Sequence, residues 1–422
     1  MAAPPQEAAA VVIGAGALGS SIAYHLARLG WTKTVLLDRH DLASQTSPRA
    51  AGLSAQLRGT DLMTTLARRG VQKIRRFTED TGEALTSTQP GSVKIARTPD
   101  HEAQLRDDVE RGRRLGVEIN LISPSEVHRL APFVEPTGIR AATYVTGDVY
   151  LEPGDLPRAY IRAATRLGVT LLPFTPATGI RVVQGAVTEV QVQRAGGDGG
   201  GEPAIIRTPV VVDAAGAWAR LVGQLAGSRI PIVPTRHQLV ITRPVAGVTP
   251  DQAIVRIIDA NVYIRPEGGG FLMGGYEADP MQVDVRRRPD TFSIADLPLD
   301  LGVLRGLAGL VADQLPFLGP LLEDRANLRE HRGGLPTMTA DDEHIVGPIA
   351  GVRGLWVATG CNVGGLTISP AIGEALAEWI VGGEPSMDLS PMSPNRFGPT
   401  LDDEARLAAA ARRRYARHYW AN

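Results

Sequence analysis

The chain opens with a short apolar run, Ala9 to Ile13, that ends in glycine. It gives way to a segment in which Leu18, Ile22, Leu26 and Leu29 recur every three or four residues. The first pattern is that of a buried strand, the second that of one face of a helix. Gly30 stops the helix, and Thr34 to Asp38 reads as a second buried strand with an acid at its carboxyl end. Strand, helix and strand make a βαβ unit, which predicts a parallel sheet with right-handed crossovers.

The same patterns return further on. Leu156 to Leu167 has helical spacing, while Val169 to Leu172, Gly179 to Val183 and Ala186 to Gln193 read as strands. Gly196 to Gly201 reads as a hairpin tip with no side chains for chemistry. Pro209 to Gly216 is another buried strand running into a glycine turn. Between Ile230 and Tyr276 the pattern changes: Gln238 to Thr242, Ala253 to Ile258, Val262 to Arg265 and Phe271 to Gly274, separated by polar or glycine turns, predict an antiparallel sheet. Leu355 to Gly360 returns to the buried type and leads to a helix over Ser369 to Ile380, so the first domain is revisited late in the chain. The Ala- and Arg-rich stretch Leu401 to Arg414 is expected to be a surface helix. The predicted fold class is α/β (α+β): a Rossmann-like domain with a parallel sheet, built from residues 1–90, 150–225 and 330–395. Residues 91–149 and 226–329 form a second domain on a mainly antiparallel sheet, and 396–422 a C-terminal tail helix.

Composition narrows the partners. At 422 residues the chain exceeds what one core usually serves, and 43% hydrophobic with 21% charged residues is ordinary for a globular protein. Lys plus Arg (44) balances Asp plus Glu (45), so no net field attracts the protein to nucleic acid or an anionic membrane, and neither is expected as a partner. The single cysteine, Cys361, forms no intramolecular disulfide and no multi-thiolate centre, and no metal is expected. The first residues lack a basic n-region and a long apolar h-region, and no apolar run reaches the roughly eighteen residues of a spanning helix, so a cytoplasmic location is expected.

Chemistry enters at the glycines. In Gly14-Ala15-Gly16-Ala17-Leu18-Gly19, Gly14 permits a tight turn, Gly16 lets backbone approach a pyrophosphate, and Gly19 lets the helix pack closely on the strand. Asp38, nineteen residues beyond Gly19, stands where a carboxylate accepts hydrogen bonds from ribose hydroxyls. The pattern predicts a dinucleotide site. Near the other end, a strand ending in Gly360 followed by closely spaced glycines and a helix offers backbone N–H groups to a developing negative charge.

Four blocks in order, Val11 to Arg39, Val210 to Trp218, Asn261 to Glu277 and Gly354 to Ile380, resemble the FAD-dependent D-amino-acid oxidase superfamily, nearest its sarcosine oxidase and dimethylglycine dehydrogenase branch. The likeness runs to about Phe397 and implies FAD as cofactor. By resemblance, Gly14, Gly16, Ala17, Leu18, Gly19, Asp38 and Arg39 meet its adenine half. Ser47, Arg49, Ala50, Ala51, Gly52 and Leu53 lie along the flavin, and Ala177, Ala215, Gly216 and Trp218 make further contacts. Gly360, Asn362, Val363, Gly364, Gly365, Leu366 and Thr367 border the ring. Arg49 stands where dimethylglycine dehydrogenase-like enzymes carry a histidine covalently joined to FAD. Gly334 stands where the branch's alternative cysteine precedes a T-x-T-x-D stretch, here Thr337 to Asp341. Non-covalent, dissociable FAD is therefore expected.

The resemblance also marks His237 and Tyr263 as a catalytic pair. A histidine suits proton relay and a tyrosine hydroxyl can bond the amine or the histidine. For an acid group on the substrate, Arg49 and Arg265 are the candidates, with Arg58 a third. The lysine that sarcosine oxidases use is replaced by Thr367, and the arginine of a G-x-R-P motif by Leu335, which counts against sarcosine itself. The implied activity is oxidation of the C–N bond of a small secondary or tertiary N-methyl amine or amino acid, with hydride transfer to flavin N5. The imine then hydrolyses, with formaldehyde release from a methyl carbon, and electrons pass to oxygen or a carrier. The folate-binding domain of the long dimethylglycine dehydrogenases has no room in 422 residues, so formaldehyde is expected to leave free. Two alternatives stay open: a flavoprotein 2-hydroxy-acid or D-amino-acid dehydrogenase, and a flavin-binding subunit of a larger electron-transfer complex.

Overall fold

The computed structural model describes residues 3–194, 201–398 and 403–419. Gly196 to Gly200 of the expected hairpin tip lie outside the described residues, but the strands flanking it, Ala186–Gln193 and Pro203–Arg207, pair antiparallel.

Two large sheets organise the molecule. The first runs Ile345–Pro348, Leu355–Thr359, Val211–Asp213, Ala10–Ile13, Thr34–Leu37, Thr170–Leu172. Its pairs are parallel except the antiparallel edge between Ile345–Pro348 and Leu355–Thr359. Its central strand is buried on both faces, which is why it reads as a continuous apolar run. Period-two alternation sends Ala10 and Val12 toward a core shared with the helices Ala17–Arg28, Asp155–Arg166 and Gly365–Gly382. Val11 and Ile13 face a second core completed by Val187, Val190 and Ile206 of the three-stranded sheet. This is the Rossmann-like half of a mixed α/β fold.

The second sheet has eight strands, in the order Leu328–Gly334, His237–Thr242, Gly270–Gly275, Val262–Glu267, Ile254–Ile257, Ser92–Ala96, Ala141–Val145, Ile119–Ile122. It is antiparallel except where Ile254–Ile257 runs parallel to Ser92–Ala96. Its register decides the site. Val240, Met273, Ile264, Val255 and Val93 form one row and pack with residues of the helices Leu301–Gly309 and Leu318–Glu323. The neighbouring row, Leu239, Gly274, Tyr263, Arg256 and Lys94, points the other way. That face looks back toward the first sheet.

Two expectations are corrected. The late helix begins at Gly365 rather than Ser369 and carries Pro370 inside it. The carbonyl that Pro370 cannot bond, that of Leu366, accepts the Ser369 hydroxyl at 3.1 Å instead. The terminal helix, Glu404–Ala416, does not lie free on the surface. Leu407, Ala411 and Tyr415, spaced four apart, are buried in a cluster with Val233, Leu239, Tyr276 and Met338. The Ala- and Arg-rich composition masks this narrow stripe.

Candidate functional site

The inward face of the eight-stranded sheet and the carboxyl ends of the parallel strands enclose a cavity of about 1200 Å³, its open mouth included. On the Rossmann side, Gly14 turns at φ 106°, where a Cβ would lie 2.7 Å from the carbonyl carbon of Ala214. A Cβ on Gly19 would overlap the carbonyl oxygen of Gly14, so the helix from Ala17 packs flush on the turn. Asp38 steadies that turn: one carboxylate oxygen accepts the Ala15 N–H at 2.8 Å and the other the His40 N–H at 2.8 Å. Loss of hydration pushes its carboxyl up to about 6. The helix starts at Gly16 with no side-chain cap, and Gly16, Ala17 and Leu18 line the cavity, where the free N–H groups of a helix start suit a pyrophosphate. Ser47 Oγ accepts the Ala17 N–H at 3.0 Å. These residues fit a dinucleotide.

The same sheet contributes a second turn, the strand-to-helix turn after Thr359. Gly360, Asn362 and Val363 all have positive φ, 66°, 41° and 64°. A β-branched valine in the left-handed region stores on the order of 1–3 kcal/mol. Asn362 holds the turn: its Oδ1 accepts the Thr339 N–H at 2.9 Å and its Nδ2 donates to Gly360 O at 2.9 Å. Val363, Gly365 and Leu366 thereby face the cavity.

His237 and Tyr263 sit on the sheet wall. His237 Nε2 is 2.8 Å from the Tyr263 hydroxyl and Nδ1 is 2.8 Å from the Tyr415 hydroxyl. Burial pushes the imidazole down to about 4 and the Tyr263 phenol well above its ordinary value, so both are neutral near pH 7. Tyr276 packs on His237 with ring centres 4.9 Å apart, and His418 stacks on Tyr276 at 4.0 Å. Among the described residues, three arginines, Arg49, Arg58 and Arg256, line the cavity and no carboxylate does. Arg58 Nε and Arg256 Nη1 are buried with no hydrogen-bond partner. Asp148, which accepts the Gln56 N–H at 2.9 Å, adds a buried acid whose field acts on both guanidiniums.

Of the residues expected from the sequence, Gly16, Ala17, Leu18, Ser47, Arg49, Ala50, Ala51, Gly52, Leu53 and Gly216 also line this cavity. Others do not. Gly14, Gly19, Asp38 and Ala215 stand behind the lining, and Ala177 begins a strand of the three-stranded sheet. Arg39 donates to Asp290 O at 2.8 Å and lies over the Trp218 ring. Trp218 packs toward Phe292. Gly360 forms the turn, while Asn362 and Gly364 face an adjoining cavity. Thr367 accepts Arg58 Nη2 at 3.0 Å. Arg265 does not line the cavity: with 0% exposure it pairs with Glu267 at 2.6 Å, donates to Ala51 O at 3.0 Å and lies over Tyr150, behind the Ala50–Leu53 segment.

Sequence reasoning missed Arg256, Tyr276, His418 and Tyr419. A lone arginine among Ile254, Val255 and Ile257 was the available signal for the first. His418 and Tyr419 lie beyond the blocks that carry the resemblance. Among the described residues, no group of three metal-ligating side chains occurs, and no helix is long and apolar enough to cross a membrane.

Comparison with known proteins shows the family and the fold. The chain is 31% identical over 419 residues to human mitochondrial sarcosine dehydrogenase, covering 98% of this chain and 44% of that protein. It is 29% identical over 427 residues to the 4-methylaminobutanoate oxidase (formaldehyde-forming) of Paenarthrobacter nicotinovorans, covering 99% of this chain and 49% of that protein. The chain thus spans about half the length of the curated relatives it matches. The crystal structure of L-proline dehydrogenase from P. horikoshii superposes with a TM-score of 0.80 at 24% identity, over 93% of this chain and 98% of that one, which shows a shared fold. Residues 9–379 match the family described as DAO, FAD dependent oxidoreductase, and the chain belongs to that family.

Proposed function

We propose that the protein oxidises the C–N bond of a small N-methylated amine that carries a carboxylate. The observation that carries the reading is the cavity wall. A neutral His237–Tyr263 pair there stands beside two partnerless guanidinium donors, with no acid in the lining. Both named relatives act on methylamino compounds by their names, which supports the same class here. On this reading, residues 1–90, 150–225 and 330–395 hold the cofactor, and 91–149 and 226–329 form the substrate side.

FAD, when bound, supplies the two-electron acceptor. The Gly14–Gly19 turn with Ser47 holds its pyrophosphate and the Val363–Leu366 turn borders its ring. The remaining work falls to side chains. Arg58 Nε and Arg256 Nη1 offer hydrogen bonds to the carboxylate and so aim the amine. The same positive field disfavours an ammonium, and only a neutral amine has the lone pair that assists C–H cleavage. Tyr263 accepts a hydrogen bond from the amine, and His237 relays the proton that an arriving ammonium must lose toward solvent. Water hydrolyses the imine product, releasing formaldehyde where a methyl carbon was oxidised.

Anaerobic mixing of the FAD-loaded enzyme with N-methyl amino acids, matched methylamines lacking the carboxylate, and 2-hydroxy acids tests this. Bleaching of the visible flavin band is expected with the first group. Arg256→Gln and Arg58→Gln each raise the half-saturating concentration about 10- to 100-fold, the worth of a charged hydrogen bond. Bleaching by 2-hydroxy acids alone, or by no N-methyl compound, overturns the reading.

A further inference from the structure

We propose that Tyr415, carried on the terminal helix, is a positioning residue of this site: its hydroxyl accepts a hydrogen bond from His237 Nδ1 and so keeps Nε2 as the basic nitrogen that faces Tyr263. The inference rests on the reading of His237 and Tyr263 given above, and it assigns a role to a part of the chain outside both sheets.

Geometry carries it. The His237 ring is held at both nitrogens by tyrosine hydroxyls, each at 2.8 Å. A neutral imidazole has one donor and one acceptor, so one tyrosine must donate to the ring and the other accept from it. The two tyrosines differ in surroundings. Tyr263 lines the cavity, so its hydroxyl hydrogen responds to whatever is bound there. Tyr415 does not line it and is buried among Leu239, Met338, Leu407 and Ala411, so a ligand in the cavity does not bond its hydroxyl directly. As the partner with no direct contact to the cavity, Tyr415 is assigned the Nδ1–H. With Nδ1–H donated to the Tyr415 oxygen, the Tyr263 hydroxyl donates to Nε2 and presents its oxygen lone pairs to the cavity.

The proton balance is then closed. When an ammonium substrate arrives, its N–H bond breaks as a bond forms to the Tyr263 oxygen, and the hydroxyl proton of Tyr263 moves to His237 Nε2. The outcome is a neutral amine, an unchanged tyrosine and a transient imidazolium whose Nδ1–H rests on Tyr415 until the proton passes to water at the open mouth of the cavity. Without that oxygen, the imidazolium would leave a buried N–H unpaired.

The helix is fixed firmly enough for this role. Asp403 caps its start through the Ala405 N–H at 2.9 Å, Gln282 Nε2 donates to Ala408 O at 2.7 Å, and Asn261 Nδ2 donates to Ala416 O at 3.0 Å. Beyond it, His418 stacks on Tyr276.

The test is Tyr415→Phe in the FAD-loaded enzyme, with Leu407→Ala as a variant that loosens the same helix without touching the hydroxyl. Histidine ¹⁵N NMR reads the His237 tautomer, and anaerobic flavin reduction reads the limiting rate apart from the half-saturating concentration. The wild type should carry its hydrogen on Nδ1. Tyr415→Phe should change that nitrogen pattern and slow the limiting rate about 10- to 100-fold, within the range of general acid–base effects, with little change in half-saturation. Leu407→Ala should lower the unfolding temperature and leave the His237 signals as they were. A wild-type His237 protonated on Nε2, a Tyr415→Phe enzyme with unaltered nitrogen signals and rate, or a Leu407→Ala enzyme that reproduces the Tyr415→Phe pattern overturns the proposal. If no amine reduces the flavin, the proposed function fails, while the NMR comparison still decides the role of Tyr415.

Discussion

Gly274→Ala should disable the site by displacing Tyr263, although Gly274 itself does not line the cavity. Gly274 lies directly across the sheet from Tyr263, and a Cβ there would sit 2.6 Å from the ring Cζ and 3.1 Å from Cε2, and closer still to the hydroxyl. Comfortable carbon contacts begin near about 3.5 Å, so the phenol must retreat by about 1 Å. Its hydroxyl stands 2.8 Å from His237 Nε2, and a displacement of that size carries it beyond hydrogen-bond range. Stranding a buried donor or acceptor destabilises by about 1–3 kcal/mol, which lowers the unfolding temperature by a few degrees. The larger consequence is kinetic, since misplacing a catalytic group by about 1 Å slows chemistry on the order of 100-fold. Gly274 does not line the cavity, so FAD content should stay at the wild-type level. Stopped-flow flavin reduction, with the absorbance ratio of flavin to protein as control, checks this. A variant that keeps its FAD and reduces it at the wild-type rate refutes the link between Tyr263 placement and catalysis.

Three further outcomes follow from the structure. Gly19→Ala forces a Cβ into the backbone carbonyl of Gly14, which has no side-chain freedom to yield, so the purified variant should lack flavin absorbance. Stoichiometric FAD in that variant contradicts the packing argument. Asp213 is buried with one oxygen accepting the Ala215 N–H at 3.1 Å, and desolvation pushes its carboxyl up to about 8. The folded chain therefore keeps a proton that the unfolded chain releases near pH ~4, and stability falls as pH rises from there to about 8, by up to about 1.4 kcal/mol per pH unit. Asp213→Asn removes this component, so its unfolding temperature should change less between pH 5 and pH 8 than that of the wild type, and equal slopes refute the assignment. Finally, with Arg49 and Gly334 where the resemblance would place a tethering histidine or cysteine, acid precipitation should leave the yellow colour in the supernatant, and a yellow pellet means a covalent bond.

Much of the architecture is legible from short stretches of chain. The apolar run Ala10–Ile13, the helical spacing after it and the glycines between them are local features, set by strand and helix periodicity and by steric limits on φ and on close approach. They specify a βαβ unit and a cradle for a dinucleotide before any long-range contact is known. The apolar runs within Gln238 to Thr242 and Val262 to Arg265 likewise announce buried strands.

What these stretches do not encode is which strand neighbours which and in what register. Tyr263 meets Arg256 and Gly274 only because the strands align residue for residue, and a slip of one position would turn Tyr263 to the opposite face. Arg265 has the same residue type as Arg256, but at its position it pairs with Glu267 under the Ala50–Leu53 segment. The terminal helix is the extreme case. Its composition suggests solvent, yet docking of Leu407, Ala411 and Tyr415 brings a hydroxyl to His237 across 178 residues of sequence. Local sterics and periodicity act within a few residues, so the elements and the Gly14–Gly19 turn were legible in the chain. The cavity lining was not, because strand register and helix docking depend on burying surfaces far apart in the chain.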